Sequence, residues 1–435
     1  MLIKAPYIIS FDPEKPVYKN ALINIENRKI ISIEEGKDDP SAIDFSGKVL
    51  LPGLINLHTH FYGNFARGIS IPGDPPNGFG EILEKLWWRL DKVLDEESIR
   101  YSALMGLVDG IKSGVTTYFD HHASPNYVDG SLDIIAEETM KAGVRASLCY
   151  EVSDRDGKEI IEKGLRENER FIQKSKKNSS FLNGMMGLHA ALTLSDDTLL
   201  KAIEIEKKYN SGFHIHVAEG IEDVDNSLSK HGFRVVERLD KLGITTENSI
   251  FAHCVHLNEK EIDILSKKGV LVSHQPESNL NNAVGFADIL KLLEKNVRVG
   301  LGTDGFCQGI WHSVRATFLM PKYIKRDNRV AWGEPIQLLQ ENSRKASKVF
   351  GLPLGILQKN SAADIIAIPY NPPTILDSGN FFSHILFGIM ENPVTDSIVN
   401  GNIIMRDRKI LTLDEKDIMA KSREICPKVW ERFNK

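Results

Sequence analysis

Thirteen histidines are spread over 435 residues, and eleven of them fall at or beside the ends of short apolar runs: His58, His60, His121, His122, His189, His214, His216, His253, His256, His274 and His312. Only His231 and His384 fall elsewhere. Core histidines serving only local hydrogen bonds would be scattered, so this clustering points to a metal centre. The stretch Gly53-Leu54-Ile55-Asn56-Leu57-His58-Thr59-His60 is the clearest case. A Pro-Gly breaker opens it, an apolar run follows, and two histidines two positions apart close it. Side chains alternate faces along a strand, so His58 and His60 leave the same side. Imidazoles paired in this way suit a divalent ion that activates water for hydrolysis. Carboxylates recur at equivalent places, in His214-Ile215-His216-Val217-Ala218-Glu219 and in Gly302-Thr303-Asp304-Gly305.

The elements that must position these residues alternate along the chain. Apolar strand candidates run over 53–60, 115–120, 145–152, 184–190, 213–218, 250–256, 270–276 and 297–304. A run that is apolar throughout is the mark of a strand buried on both faces, as in parallel sheets and barrels. Helical patterns with apolar residues at three-to-four spacing fill the gaps, for example over 96–113, 196–208 and 258–267. Eight such units predict an α/β fold, a (β/α)8 TIM-type barrel, whose chemistry collects at the carboxyl ends of the strands. Both chain ends read instead as short β-strands. Asn27-Arg28 and Asn400-Gly401 are turn signals between them, the latter the stronger hairpin mark. Neither end has enough apolar surface to stand alone, so one small β-sandwich built from both is expected. The expected division is 1–52 and 355–415 for the sandwich, 53–354 for the barrel and 416–435 for a C-terminal helix, mostly solvated, with Trp430 docked.

The Pro- and Gly-rich stretch 68–80 follows the first strand and leads into Leu86-Trp87-Trp88-Arg89-Leu90. It reads either as a lid with aromatic contacts or as an ordinary surface loop before a core helix. Bulk properties exclude several classes. Hydrophobic and charged contents of 42% and 26% with a net charge of -5 fit a globular protein and give no reason to expect nucleic acid or an anionic membrane as partner. No apolar run approaches a membrane span. The N-terminal segment lacks an apolar signal-peptide core, and Cys149, Cys254, Cys307 and Cys426 form no CxxC pair. A cytoplasmic protein with free thiols is expected.

Four motifs, taken in order, resemble the amidohydrolase superfamily over nearly the full chain: Leu51-Pro52-Gly53 into His58-Thr59-His60, then His216-x-x-Glu219, then His253-Cys254, then Gly302-Thr303-Asp304-Gly305. The resemblance is closest to the branch of deaminases and chlorohydrolases that includes adenosine, guanine, cytosine and triazine enzymes. The segments 86–91 and 120–125 resemble the SsnA-type aminohydrolases. This likeness implies that His58, His60, His216 and Asp304 hold one divalent metal, zinc first with iron(II) also compatible. It implies that Asp304 orients the attacking water and accepts its proton, that Glu219 protonates a ring nitrogen and then ammonia, and that His253 stabilises the attacking oxygen. Strand four, Gly187-Leu188-His189-Ala190, lacks the bridging Lys or Glu of two-metal relatives, which favours a single ion. His189 is expected to contact substrate, His214 to be a buried supporting histidine, and only one of His121 and His122 to reach the pocket. Trp87, Glu151, Arg155 and Gln275 are further pocket candidates.

The expected reaction is therefore metal-dependent hydrolysis of a C–N bond, removing an amino group from a purine-like heterocycle. Opening of a cyclic amide and release of chloride are rival reactions for the same site, and a non-catalytic barrel subunit is the alternative of a different class. The resemblance also implies a small-molecule substrate and a homodimer. Two segments depart from relatives where substrate would lie. His274-Gln275-Pro276 has no cysteine before the proline, and Gly305-Phe306-Cys307-Gln308-Gly309 replaces a small, Asn-rich run.

Overall fold

A computed structural model describes all of residues 1–435. Eight parallel strands surround the centre: Leu54–Thr59, Val115–His122, Arg145–Tyr150, a fourth in two pieces (Leu182–Gly184 and Met186–Ala190), Phe213–Val217, Ile250–His253, Leu271–His274 and Arg298–Leu301. Hydrogen bonds join the first four segments into one sheet and the last five into another. Two seams bring the sheets together. At one, the N–H groups of Thr303 and Asp304 both donate to the His58 carbonyl at 2.9 Å. At the other, His189 N–H donates to the Val152 carbonyl at 2.9 Å. Glycine stands at each seam for lack of room. A Cβ on Gly302 would lie 2.9 Å from the His58 backbone, and one on Gly187 2.3 Å from the Tyr150 carbonyl oxygen.

Every residue of the first strand is buried, as its unbroken apolar run requires. Helices such as Glu96–Lys112, Ser131–Ala142, Lys158–Ser175, Asp196–Tyr209 and Glu334–Phe350 alternate with the strands. The segment Ile310–Lys325 adds a helix between the eighth strand and Glu334–Phe350. The expected α/β barrel is the observed fold.

The chain ends meet in one nine-stranded sheet. Lys48–Pro52 pairs in parallel with Leu2–Ile9 and antiparallel with Ile365–Pro369, joining the N-terminal strands to the C-terminal ones. The sandwich is thus a single hydrogen-bonded sheet around its own apolar cluster, with Ile3, Ile23, Phe45, Leu50, Ile365 and Ile398 at its centre. Both expected turns occur, and their residues adopt the left-handed backbone that two-residue hairpins require: φ is 49° and 69° at Asn27-Arg28, and 50° and 73° at Asn400-Gly401. Arg145, at the start of the third barrel strand, is fully buried and bonds Asp364 and Asn400, which ties barrel to sheet.

The C-terminal helix Glu415–Asn434 is less solvated than its sequence suggested. Ile425, Val429 and Phe433 are buried against Phe65 and Leu90, and Trp430 Nε1 donates to the Phe65 carbonyl at 2.9 Å.

Candidate active site

The first strand delivers His58 and His60 to the mouth of the barrel, the fifth delivers His216, and Asp304 follows the eighth. Their ligating atoms converge. Asp304 Oδ1 is 3.2 Å from His58 Nε2 and 2.9 Å from His60 Nε2, and the Nε2 atoms of His60 and His216 are 3.2 Å apart. The outer nitrogens decide what this means. His60 Nδ1 is 2.6 Å from the His121 carbonyl and His216 Nδ1 is 2.8 Å from the His189 carbonyl. Carbonyls only accept, so both Nδ1 atoms carry protons and both Nε2 atoms face the shared centre. His58 Nε2 is buried, with Asp304 Oδ1 beside it. Three imidazole nitrogens and a carboxylate around one point form the donor set of a divalent cation, and these four residues fit it.

Burial pushes the His58 imidazolium down to about 3, so His58 is neutral and can ligate. Burial also opposes charge on His60, yet Asp304 and Glu151 outweigh it and favour positive charge there. Burial works against ionised Asp304, but bonds from His58 and His60 hold it well below the usual carboxylate range. His214 is buried beneath the centre, its Nε2 2.9 Å from His58 Nδ1. A contact of this kind would orient His58 as a metal ligand.

Glu219 lines the same opening, and His253 lies fully buried beside it rather than in the pocket lining. Burial first, and the Asp304 charge second, push Glu219 well above the ordinary carboxyl range, so it holds its proton to higher pH than a free glutamate. Its Oε2 lies 3.4 Å from His253 Nε2, which is buried and unpartnered. His253 Nδ1 is tied to Asn279 Oδ1 at 2.7 Å, fixing the ring. Ser278 donates to Asp304 Oδ2 at 2.5 Å, and Asn282 reaches Glu219 Oε1 at 3.4 Å. These three polar residues come from the short helix Pro276–Asn281 and the residue after it. The backbone is left-handed at Ala218 (φ 48°), His253 (φ 72°), Cys254 (φ 52°) and Asp304 (φ 62°). Each such non-glycine residue costs on the order of 1–3 kcal/mol, and such strain concentrates where side chains are aimed for function.

The pocket over these groups is lined by His60, Tyr62, Phe79, Leu83, Trp87, Glu151, His189, His216, Glu219 and Asp304, among others. Its aromatic roof comes from the segment 79–90, in which Leu83–Trp87 form a π turn. One extra residue in a turn is a common feature of functional sites. Trp87 packs over Gly63 and Gly305, whose missing side chains leave it room. Phe79, at the end of the Pro- and Gly-rich loop, lines the pocket as well, so that loop borders the opening.

Trp87, Glu151 and His189 reach the pocket, whereas four other candidates do not line it. His121 and His122 leave opposite faces of the second strand, but neither emerges. His121 is buried below the metal ligands, stacked on His214 at 4.6 Å. His122 is bonded to Ser124 Oγ at 2.9 Å. Gln275 turns into the core, where its Oε1 accepts from the His253 N–H at 2.9 Å and its amide donates to Ser273. Arg155 lies outside the pocket, paired with Asp91 at 2.8 Å and stacked over Trp88. Tyr62, Phe79, Leu83, Ser278, Asn279 and Asn282 escaped sequence reasoning. Only Pro276, a helix-opening residue just after a strand, hinted that the next side chains turn back over the mouth.

Known proteins agree with this geometry. The amidohydrolase family model matches residues 49–404. A 5'-deoxyadenosine deaminase of Methanocaldococcus jannaschii is 31% identical over 424 residues, covering 94% of this chain and 98% of the relative. The crystal structure of an adenosine deaminase from Xanthomonas campestris with bound zinc superposes with a TM-score of 0.85 at 20% identity, covering 98% of both chains. A guanine deaminase from C. acetobutylicum with bound guanine gives 0.80 at 20% identity, over 93% of this chain and 100% of the other. A family model matched over residues 49–404 and a relative 31% identical along nearly the whole length settle the membership: this chain belongs to the amidohydrolase family.

Proposed function

We propose that the protein removes an amino group from a purine-like ring by hydrolysis, with zinc as the resident ion. The family makes it a hydrolase of C–N bonds other than peptide bonds. The observation that carries the finer reading is a pair of carboxyl groups at one opening, Glu219 pushed toward holding its proton and Asp304 toward losing it. Surroundings that push two carboxyl groups in opposite directions separate an acid from a base. The name of the Methanocaldococcus jannaschii relative, 5'-deoxyadenosine deaminase, supports an adenine-like ring.

His58, His60, His216 and Asp304 would hold the ion, which when bound lowers the pKa of a coordinated water toward 7. The protein groups do the rest. Asp304, steadied by Ser278, takes a proton from water as its oxygen adds to the ring carbon that bears the amine. His253 Nε2, the ring's free nitrogen, accepts a hydrogen bond from that oxygen. Glu219 gives its proton to the adjacent ring nitrogen. The C–N bond to the amine then breaks, a proton returns to the leaving group, and ammonia and a ring carbonyl result. Trp87, Phe79 and Tyr62 cover the ring and exclude bulk water.

The four unpaired cysteines, two of them buried, support a reducing compartment, and the cytoplasm is our assignment. No helix is long and apolar enough to cross a membrane. A homodimer is our expectation from the family resemblance. Ammonia release assayed over aminated purines and pyrimidines, cyclic amides and chlorinated triazines tests the reaction. Ammonia from an aminopurine is expected, and ring-opened carboxylates or chloride as the sole products would refute the reading.

A further inference from the structure

The pocket wall formed by the third and fourth strands holds two groups that this chemistry leaves idle. Glu151 follows the third strand. Its Oε1 is enclosed by His60 Nδ1 at 3.1 Å and His121 Nδ1 at 3.4 Å, while its Oε2 lies 3.8 Å from His189 Nε2. Both side chains line the pocket. The other nitrogen of His189 fixes its tautomer. His189 Nδ1 is 2.8 Å from Thr193 Oγ1, which is itself 3.0 Å from the Ala190 carbonyl. A hydroxyl has one proton, and the carbonyl can only accept it. Thr193 therefore has only lone pairs left for His189, whose proton must reside on Nδ1. This is the one assignment that pairs both contacts. A proton on Nε2 would have no acceptor within hydrogen-bond distance, because Glu151 is too far. The wall thus presents a carboxylate oxygen beside an imidazole lone pair, with no N–H or O–H to give.

We infer that Glu151 and His189 form an acceptor-only specificity element that takes two adjacent hydrogen-bond donors from the substrate, and that Thr193 is the positioning residue that keeps His189 in the accepting tautomer. The inference deepens the deaminase reading and rests on it. Adjacent donors have two sources in a purine-like substrate: N–H groups of an oxo-substituted ring, or the vicinal hydroxyls of an attached ribose. A substrate edge that offers only acceptors leaves both wall groups unpaired, and a site built this way discriminates strongly against it.

The test uses metal-loaded enzyme and two matched pairs: isoguanine against adenine, and adenosine against 2',3'-dideoxyadenosine. Wild-type kcat/KM for ammonia release is expected to favour the donor-bearing member of one pair by about tenfold or more, and which pair responds identifies the source. Thr193→Val frees His189 to move its proton to Nε2, so that ratio should shrink toward unity, chiefly through KM, and Thr193→Ser should restore it. Glu151→Gln, which puts an N–H into the same wall, gives a second reading should the valine variant fold poorly, and it too should narrow the ratio. Equal kcat/KM within both pairs, or a ratio unmoved in folded, metal-replete variants, would overturn the inference while leaving the deaminase reading standing. Ammonia from none of the four compounds would instead overturn that reading and this inference with it.

Discussion

The Nε2 atoms of His60 and His216 stand 3.2 Å apart with the Asp304 carboxylate beside them, a cluster of donors suited to a cation. The residues that bear on this centre separate cleanly by role, and single substitutions should show it. Glu219→Gln keeps the shape and all four ligands, so metal content by elemental analysis should be unchanged while turnover falls by about 10²–10⁴-fold, the usual share of a general acid. Its pH dependence follows from the direction of the shift. Because burial holds Glu219 well above the ordinary range, the acid form persists to higher pH than in a free glutamate and is lost as pH rises through that raised value. The rate should therefore fall on the alkaline side in a pH–rate profile, and this limb should be absent from the residual activity of the Gln variant. His214→Phe removes the contact to His58 Nδ1 and should weaken metal binding by about 10–100-fold in a competition titration with a chelator. The period-two spacing of His58 and His60 was legible in the sequence, whereas His216 and Asp304 joined the expected ligand set through the family resemblance. The places of Gln275, His121 and His122 were not legible, because sequence places a residue at a strand end without saying whether its side chain turns outward or back into the core.

The strands were legible to within a few residues, and the error has a cause. The fifth, sixth and eighth were expected to run through Ala218, His256 and Asp304, yet the ladders stop at Val217, His253 and Leu301. Ala218, His253 and Asp304, at or beyond these strand ends, adopt left-handed backbone, which redirects the chain around the site. Neither apolar periodicity nor propensity records such a conformation at a non-glycine residue. The two seams of the barrel were equally hidden, since Gly187 and Gly302 read as unremarkable small residues. Gly187→Ala would drive a methyl group against the Tyr150 carbonyl, so the strands must part. A loss of about 1–3 kcal/mol in chemical denaturation is expected, the range for overpacking a tight site. The π turn at Leu83–Trp87 was also illegible, because an extra residue in a helix leaves no mark in a pattern already dominated by aromatics.

At the scale of the whole molecule, the split sheet could be foreseen because each terminal set of strands lacked a core of its own. The link that fastens it to the barrel could not, since Arg145 lies more than two hundred residues from Asp364 and Asn400. Arg145 and Asp364 are almost completely buried, at 0% and 2% side-chain exposure, so removing one partner strands a charge. Asp364→Ala should cost about 3–5 kcal/mol in equilibrium unfolding. The double variant Arg145→Met with Asp364→Leu should recover most of that loss, because two apolar groups leave no charge to strand. All of these elements hold one centre in place, and anomalous diffraction from crystals of the purified protein, recorded across the absorption edges of the first-row metals, tests it most directly. A single ion is predicted within about 2.0–2.2 Å of Nε2 of His58, His60 and His216 and of the Asp304 carboxylate. An ion bound instead by Glu151, His189 or His121, with Asp304 uninvolved, would contradict the account.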